Sequence, residues 1–410
     1  MSESLRIESP PRTMAAKLNY IGGEDVELRI PLLERLRACG FSVSASGSRT
    51  AEPFKLPGIE FFQYPLERGI HPLADRASQR ALRELFLRQR PSIVHAFDTK
   101  PTILAMLAAR AAQVPCRIRT ITGMGYIFSS SSLLALSLRP IYCRLQRRAG
   151  ASATYTIFQN RDDQAYFLAN RMVDPNRQSV VLSSGIDVAG VTQRRSSESQ
   201  LSHLRAELGI DQQVVVTMIS RMVKHKGVTE FLVAARAVKQ KLGSQVHFLL
   251  VGPLASEGRQ AVDAQMIKSY RDAVQYLGPR QDISDLLAVS HLFVLPSYYR
   301  EGVPRVLLEA GAMRLPLLTT DMPGCREVVR DGINGRIVPP RNAHQLAAAI
   351  SELVCAKELR AQMGQESLEW VREQFDLSIV AAQYAEIYRR GLDEADHQSL
   401  NSCRGVAQHA

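Results

Sequence analysis

Apolar residues in this chain fall into two alternating patterns. Short continuous apolar runs bounded by turn residues suit strands buried on both faces. Segments whose apolar residues recur every three or four positions suit amphipathic helices. In the first half the pattern predicts strands at Lys17–Ile21, Phe41–Ala45, Ser92–Phe97, Arg117–Thr122, Tyr155–Gln159 and Val180–Ser183. Helices are predicted between them at Val26–Cys39, closed by Gly40, at Ala74–Arg88 and at Thr102–Ala112. A polar stretch over 189–200, with Arg194, Arg195, Ser196 and Ser197, reads as a linker. The alternation then restarts, with strands at Val214–Ile219, Val246–Val251, Val274–Leu277, His291–Leu295 and Pro316–Thr320. Helices are predicted at Thr229–Lys241, Ala261–Asp272, Ile283–Ala288, Pro304–Met313, Ala343–Cys355, Glu358–Glu373 and Ser378–Tyr388.

Strands alternating with helices argue for parallel α/β layers. A chain of 410 residues is too long for one ordinary core, so two such domains are expected. Two parallel sheets in tandem leave a cleft where their carboxyl ends face each other, the default ligand site.

The formal charge of +11 favours an anionic partner: a nucleotide, a phospholipid surface or nucleic acid. No zinc-finger, RNA-recognition or helix-turn-helix pattern is present, which argues against nucleic acid. The six cysteines are scattered without a CxxC pair and read as reduced thiols of a cytosolic protein. Met1 to Thr13 has no apolar core and reads as a disordered leader, not a signal peptide. No run approaches the ~20 apolar residues of a spanning helix.

Two loops carry candidate chemistry. Glu301-Gly302-Val303-Pro304-Arg305 follows an apolar strand and leads into a helix that contains Glu309. Proline suits the first turn of a helix, and free N–H groups there, on Gly302, Val303 and Arg305, can face an anion. Glu309, set among Val306, Leu307, Leu308 and Ala310, needs a hydrogen-bonding partner such as a sugar or ribose diol, or else the wet edge of a capped core helix. The second loop is Ser220-Arg221-Met222-Val223-Lys224-His225-Lys226-Gly227, again after a strand. Arg221 offers a planar fork and Lys226 a point charge to a diphosphate.

Arg221, Lys226-Gly227, Val251-Gly252-Pro253, Leu277-Gly278, Glu301…Glu309, Pro323-Gly324 and Asp331-Gly332-Ile333-Asn334-Gly335 together resemble the donor-binding half of the family 4 glycosyltransferases. The first half resembles the bacterial surface-polysaccharide branch of that family. The matching segments are Val94-His95-Ala96-Phe97-Asp98-Thr99-Lys100-Pro101, Thr122-Gly123-Met124-Gly125-Tyr126, Phe158-Gln159-Asn160-Arg161-Asp162-Asp163 and Ser184-Gly185-Ile186-Asp187. The resemblance implies the GT-B fold: two Rossmann-like parallel-sheet domains facing across a cleft, with a C-terminal helix crossing back to the first. The expected layout is a disordered leader (1–14), an acceptor-binding domain (15–188), a linker (189–200), a nucleotide-sugar domain (201–374), a returning helix (375–392) and a disordered tail (393–410).

The resemblance further implies a retaining transferase that uses a nucleotide diphosphate-sugar, UDP-linked, as a substrate. Carried onto this sequence, Arg221 and Lys226 bind the donor diphosphate and Glu309 the ribose hydroxyls. Glu301 holds the transferred sugar with Gly302 and Val303, and Arg280 lies near the base. Negative charge grows on the leaving diphosphate, so cations aimed there favour the transition state. No Asp-x-Asp motif stands near a strand end, so no protein-bound metal or other cofactor is expected.

One departure is Phe97, which stands where many relatives have a histidine reaching the donor sugar's C6 hydroxyl. It suggests an N-acetylhexosamine or 6-deoxy donor. His95 reads as a structural strand residue. Asp98 and Lys100 face acceptor or phosphates, or form a solvated loop pair, while Gly123 borders the acceptor or makes an ordinary turn. Gly22-Gly23 lets backbone approach a ligand. Leu133–Leu145, interleaved with Arg139 and Arg144, is either a core helix with basic ends or a segment that lies on an anionic membrane face. The expected enzyme extends a lipid-linked glycan from the cytosolic side of the membrane. Its rivals are a transferase with a small soluble acceptor, a non-catalytic scaffold and an epimerase.

Overall fold

A computed structural model describes residues 15–55, 58–67, 69, 71–129, 132–254 and 261–407. Its first sheet comprises β1 (Lys17–Ile21), β2 (Ser42–Gly47), β3 (Glu60–Gln63), β4 (Ile93–Phe97), β5 (Cys116–Ile121), β6 (Tyr155–Phe158) and β7 (Gln178–Val180), in the order β3-β2-β1-β4-β5-β6-β7. The second sheet comprises β8 (Val214–Ile219), β9 (Val246–Val251), β10 (Gln275–Gly278), β11 (Leu292–Leu295), β12 (Leu317–Thr320) and β13 (Gly335–Val338), in the order β10-β9-β8-β11-β12-β13. Neighbouring strands are parallel throughout, as the apolar runs predict. β4 and β11 are buried along their whole length, helices covering both faces.

In each sheet the strand order reverses once, between β1 and β4 and between β8 and β11. At such a point the loops leave the carboxyl ends in opposite directions and open a crevice. The four loops that follow these strands carry Gly22–Arg29, Asp98–Lys100, Ser220–Lys226 and Pro296–Gly302.

The last helix spans Leu377–Ala407 and returns to the first domain. Val380, Ala381, Tyr384, Ala385 and Tyr388 join the core around β1. The outgoing and returning chains meet where Ile186 N–H donates to Phe375 O at 2.9 Å and Leu377 N–H to Ile186 O at 2.9 Å.

Several expectations are corrected. The stretch expected as a linker folds into helices at Val188–Gln193 and Glu198–Glu207. Val188 and Val191 pack into the second core, and Ser197 and Gln200 form a reciprocal capping box. The signal was present: Ser197-x-x-Gln200 followed by Leu201, Leu204 and Leu208 is a helix start with an apolar stripe. The tail expected to be disordered from 393 continues the last helix to Ala407. The expected helix Val26–Cys39 is a 3₁₀ turn, Val26–Arg29, then an α-helix, Ile30–Ala38, whose start Pro31 sets. Helix Ala261–Asp272 shortens to Ala264–Lys268. Strands β3 and β13 were not foreseen; β3, half-buried at a sheet edge, lacks a continuous apolar run. The expected leader, residues 1–14, lies outside the described residues.

Candidate active site

The central contact is an ion pair. Lys226 Nζ lies 2.5 Å from Glu301 Oε2, with the side chains only 17% and 15% exposed. Lys226 closes the 3₁₀ turn after β8, and Glu301 ends the loop after β11, so two adjacent strand ends bring them together. Ser297 Oγ donates to the other carboxylate oxygen, Oε1, at 2.7 Å. The carboxylate is thus held from both sides. Behind it, burial and then Glu301 push the Cys325 thiol up to about 12, so it is protonated at neutral pH and no nucleophile.

The loop bearing Glu301 is also gripped from the first domain. Arg300 pairs at 3.0 Å with Asp163, whose side chain is fully buried. Burial raises the Asp163 carboxyl, against the pull of hydrogen bonds from Asn160 and Arg300. Asn160 Nδ2 donates to Glu301 O at 3.4 Å, and Gly125 N–H to Arg300 O at 3.3 Å. Gly302 fits only as glycine: a Cβ there would sit 2.5 Å from Gln159 Oε1 and 2.6 Å from Thr122 O. Arg326 and Asp162 add a second bridge at 2.7 Å.

Between the domains opens a cleft of about 400 Å³. Asp25, Arg29, Asp98, Thr122 and Gly123 form one wall, and the turn from Tyr299 through Arg305 the other. Of the residues singled out in the sequence, Glu301, Gly302, Val303, Asp98 and Gly123 line it. Lys226 reaches it through Glu301. Arg221 lies exposed in the loop after β8. Glu309 stands one helical turn behind the wall and accepts from Arg305 Nε at 3.0 Å. That helix begins at Arg305 with Pro304 as its N-cap, one position later than expected. Arg280 is forked onto Asp282, 2.8 and 2.6 Å, and shapes its own loop.

Lys100 requires a correction. Its ammonium lies 2.5 Å from Asp75 Oδ1 and donates to the carbonyls of Glu67 and Gly69, so it ties down the helix Pro72–Gln89 and does not line the cleft. Gly22 is corrected too: a Cβ there would meet Phe97 Cε2 and Val26 Cβ at 2.8 Å, so its bareness serves core packing. His95 is structural, as expected. Its ring nitrogens meet Tyr388 Oη and Thr120 Oγ1, each at 2.7 Å, and burial lowers its pKa to about 3. Phe97 is buried in the core, its face covered by Arg29.

Arg29, Asp163, Ser297 and Arg300 were missed as contributors. The Ser297–Glu301 spacing was readable in the loop; the other contacts span the fold and left no local signal. Among the described residues no cluster of three or more His, Cys, Asp or Glu could hold a metal ion, and no helix is long and apolar enough to cross a membrane.

Both halves match known sequence families. Residues 202–370 match the glycosyl transferases group 1 and residues 31–182 the glycosyl transferase 4-like domain. The chain is 27% identical over 91% of its length, and 97% of the relative's, to the N,N'-diacetylbacillosaminyl-diphospho-undecaprenol alpha-1,3-N-acetylgalactosaminyltransferase of Campylobacter jejuni. It is 28% identical to the UDP-Gal:alpha-D-GlcNAc-diphosphoundecaprenol alpha-1,3-galactosyltransferase of Escherichia coli, over 68% of this chain and 70% of that one. In fold it is similar to Anabaena HepE, solved in complex with UDP, at a TM-score of 0.72 and 19% identity over 90% of this chain and 98% of that one. With two Rossmann-like sheets, a returning C-terminal helix and a family match in each half, the chain belongs to the family 4 glycosyltransferases and is a GT-B glycosyltransferase.

Proposed function

We propose that the protein moves a sugar, with retention of configuration, from a UDP-linked donor onto a glycan carried by polyprenyl diphosphate, in surface-polysaccharide assembly. The observation that carries this reading is the Lys226–Glu301 pair at the strand ends beside the interdomain cleft. A sugar diphosphate offers each partner a replacement: phosphate oxygens for the ammonium, ring hydroxyls for the carboxylate. Lys226 and Arg221 hold the diphosphate and stabilise the charge that develops as it leaves. Glu301, with the N–H groups of Gly302 and Val303, holds the transferred sugar. Glu309 holds the ribose, and the loop that Arg280 shapes borders the base. The donor sugar is of the N-acetylhexosamine or 6-deoxy type. Strict use of UDP-glucose would dispose of that assignment.

The lipid acceptor is supported by the two relatives named for diphospho-undecaprenol substrates. It is also supported by the helix Leu133–Ser152, which exposes Leu133, Leu136, Ile141 and Leu145 beside Arg144 and Arg148. Apolar and basic groups on one exposed face suit an anionic membrane surface, and we assign the protein to the cytoplasmic side of that membrane. Flotation with anionic vesicles but not neutral ones is the expected result; no flotation with either would remove the docking.

The deciding experiment incubates the protein with a panel of nucleotide sugars and a membrane lipid extract, and reads released nucleotide. Release with one donor, dependent on the lipid, is expected. Activity on water-soluble acceptors alone would favour a small-glycoside enzyme.

A further inference from the structure

The wall of the cleft opposite Glu301 carries a charged pair that donor binding does not use. Arg29 ends the 3₁₀ turn after β1, and Asp98 follows β4; the two meet because β1 and β4 are neighbours. The Arg29 guanidinium lies 3.7 Å from the centre of the Phe97 ring, a cation–π seat that holds its plane in place. Its side chain is 11% exposed and lines the cleft. Its Nη2 stands 3.6 Å from Asp98 Oδ1, longer than a charge-assisted hydrogen bond. Its Nη1 donates to Asp25 O at 3.4 Å, and its buried Nε has no hydrogen-bond partner among the described residues. Asp98 accepts from Thr122 Oγ1 at 3.2 Å and from the backbone N–H of Gly23, which still leaves carboxylate lone pairs open. Asp98 also holds φ 69° and ψ 154°, a conformation that side-chain-bearing residues rarely adopt, so its position is enforced by its surroundings.

A cation and a carboxylate that attract each other at 3.6 Å without a direct hydrogen bond can both hydrogen-bond one hydroxyl. The hydroxyl donates its proton to the carboxylate and accepts from the guanidinium. An anion fits poorly, because Asp25 and Asp98 outnumber Arg29 on this wall. The diphosphate has its own cations across the cleft.

The geometry points to Arg29 and Asp98 as the acceptor-specificity site: they bind a free hydroxyl of a neutral acceptor sugar ring and orient it toward the donor carbon. This rests on the glycosyl-transfer reading above and adds the acceptor's chemistry to it. The pair acts by binding and orientation.

The test uses the full chain, undecaprenyl-diphosphate-linked N-acetylglucosamine, its singly deoxygenated analogues, and the best donor from the nucleotide-sugar panel. Asp98→Asn and Arg29→Gln are each expected to raise the acceptor KM at least tenfold, while affinity for UDP stays within twofold. One deoxygenated analogue is expected to be poor for the natural protein and no worse for Asp98→Asn, since the hydroxyl and the carboxylate are then already uncoupled. A rise in donor KM with the acceptor KM unmoved would overturn the assignment, as would an equal Asp98→Asn penalty on every analogue. If Asp98→Asn does not fold, Arg29→Gln decides alone by the same KM comparison. Absence of transfer by the natural protein with any acceptor would sink the parent reading, whereas transfer that is indifferent to both substitutions sinks only this one.

Discussion

Replacing Lys226 with alanine separates what the ion pair does for folding from what it does for turnover. In the folded protein the substitution strips Glu301 Oε2 of its 2.5 Å partner and leaves Ser297 Oγ as the remaining donor at 2.7 Å. Exposed ion pairs contribute about 0–1 kcal/mol, and breaking a fully buried one costs about 3–5. With side chains 17% and 15% exposed, this pair sits between those limits, and a loss of about 2 kcal/mol is expected. At about 2–4 °C per kcal/mol for a domain of this size, Tm should fall by roughly 4–8 °C. The catalytic loss has a different origin. Removing a charge that stabilises the departing diphosphate should cost about 2.7–4 kcal/mol, or about 10²–10³ in kcat, by analogy with a lost oxyanion donor. Nucleotide release at saturating donor, measured well below the lowered Tm, reads kcat free of the folding effect. Adding Glu301→Gln should restore most of the Tm, because the neutral amide no longer needs a cation, and should restore none of the kcat. A Lys226→Ala protein that keeps more than a tenth of the natural kcat would refute the assignment of Lys226 to the leaving group.

Four further outcomes are expected. Glu309→Ala should lower donor kcat/KM by about 10–100-fold, the range of one hydrogen bond to a charged group, with Tm nearly unchanged because its partner Arg305 is an exposed helical neighbour. Gly302→Ala should push the domains apart through Gln159 and Thr122, seen as a larger radius of gyration in solution scattering together with lost turnover. Lys100→Ala should leave transfer within about twofold and cost at most about 1 kcal/mol of stability, since its partner Asp75 is partly exposed and remote from the cleft. His95 supplies a pH test. Its folded pKa of about 3 lies below the ordinary 6.5, so the unfolded chain binds more protons between those values and stability falls as the pH drops through that window. From about pH 6.5 to 5.5 the loss is about 1 kcal/mol, and His95→Asn should remove that part of the slope in urea unfolding.

The strand ends that carry Glu301 and Lys226 were legible because each signal is local: an apolar run, then glycine or proline, then a charged residue where a helix starts. The parallel class followed equally from short apolar runs alternating with helical periodicity. The linker was misread because the arginines and serines of 189–200 outweighed an apolar spacing that Val188 and Val191 begin and the Ser197 cap announces. Lys100 was misread because its spacing from Asp98 shows only that both follow β4. The direction of its side chain depends on Asp75 and the Glu67 and Gly69 carbonyls, which come from a segment far earlier in the chain.

Chain chemistry alone therefore settled most of the strands and helices, and which charged residues stand at strand ends, since backbone propensity and apolar spacing act over a few residues. Which of those residues meet was decided by strand order and domain closure. Arg29 lies over Phe97 only because β1 pairs with β4, and Asp163 grips Arg300 only because the two domains touch. Such contacts join residues remote in sequence, and burial in the folded interior, not any local preference, is what holds them together.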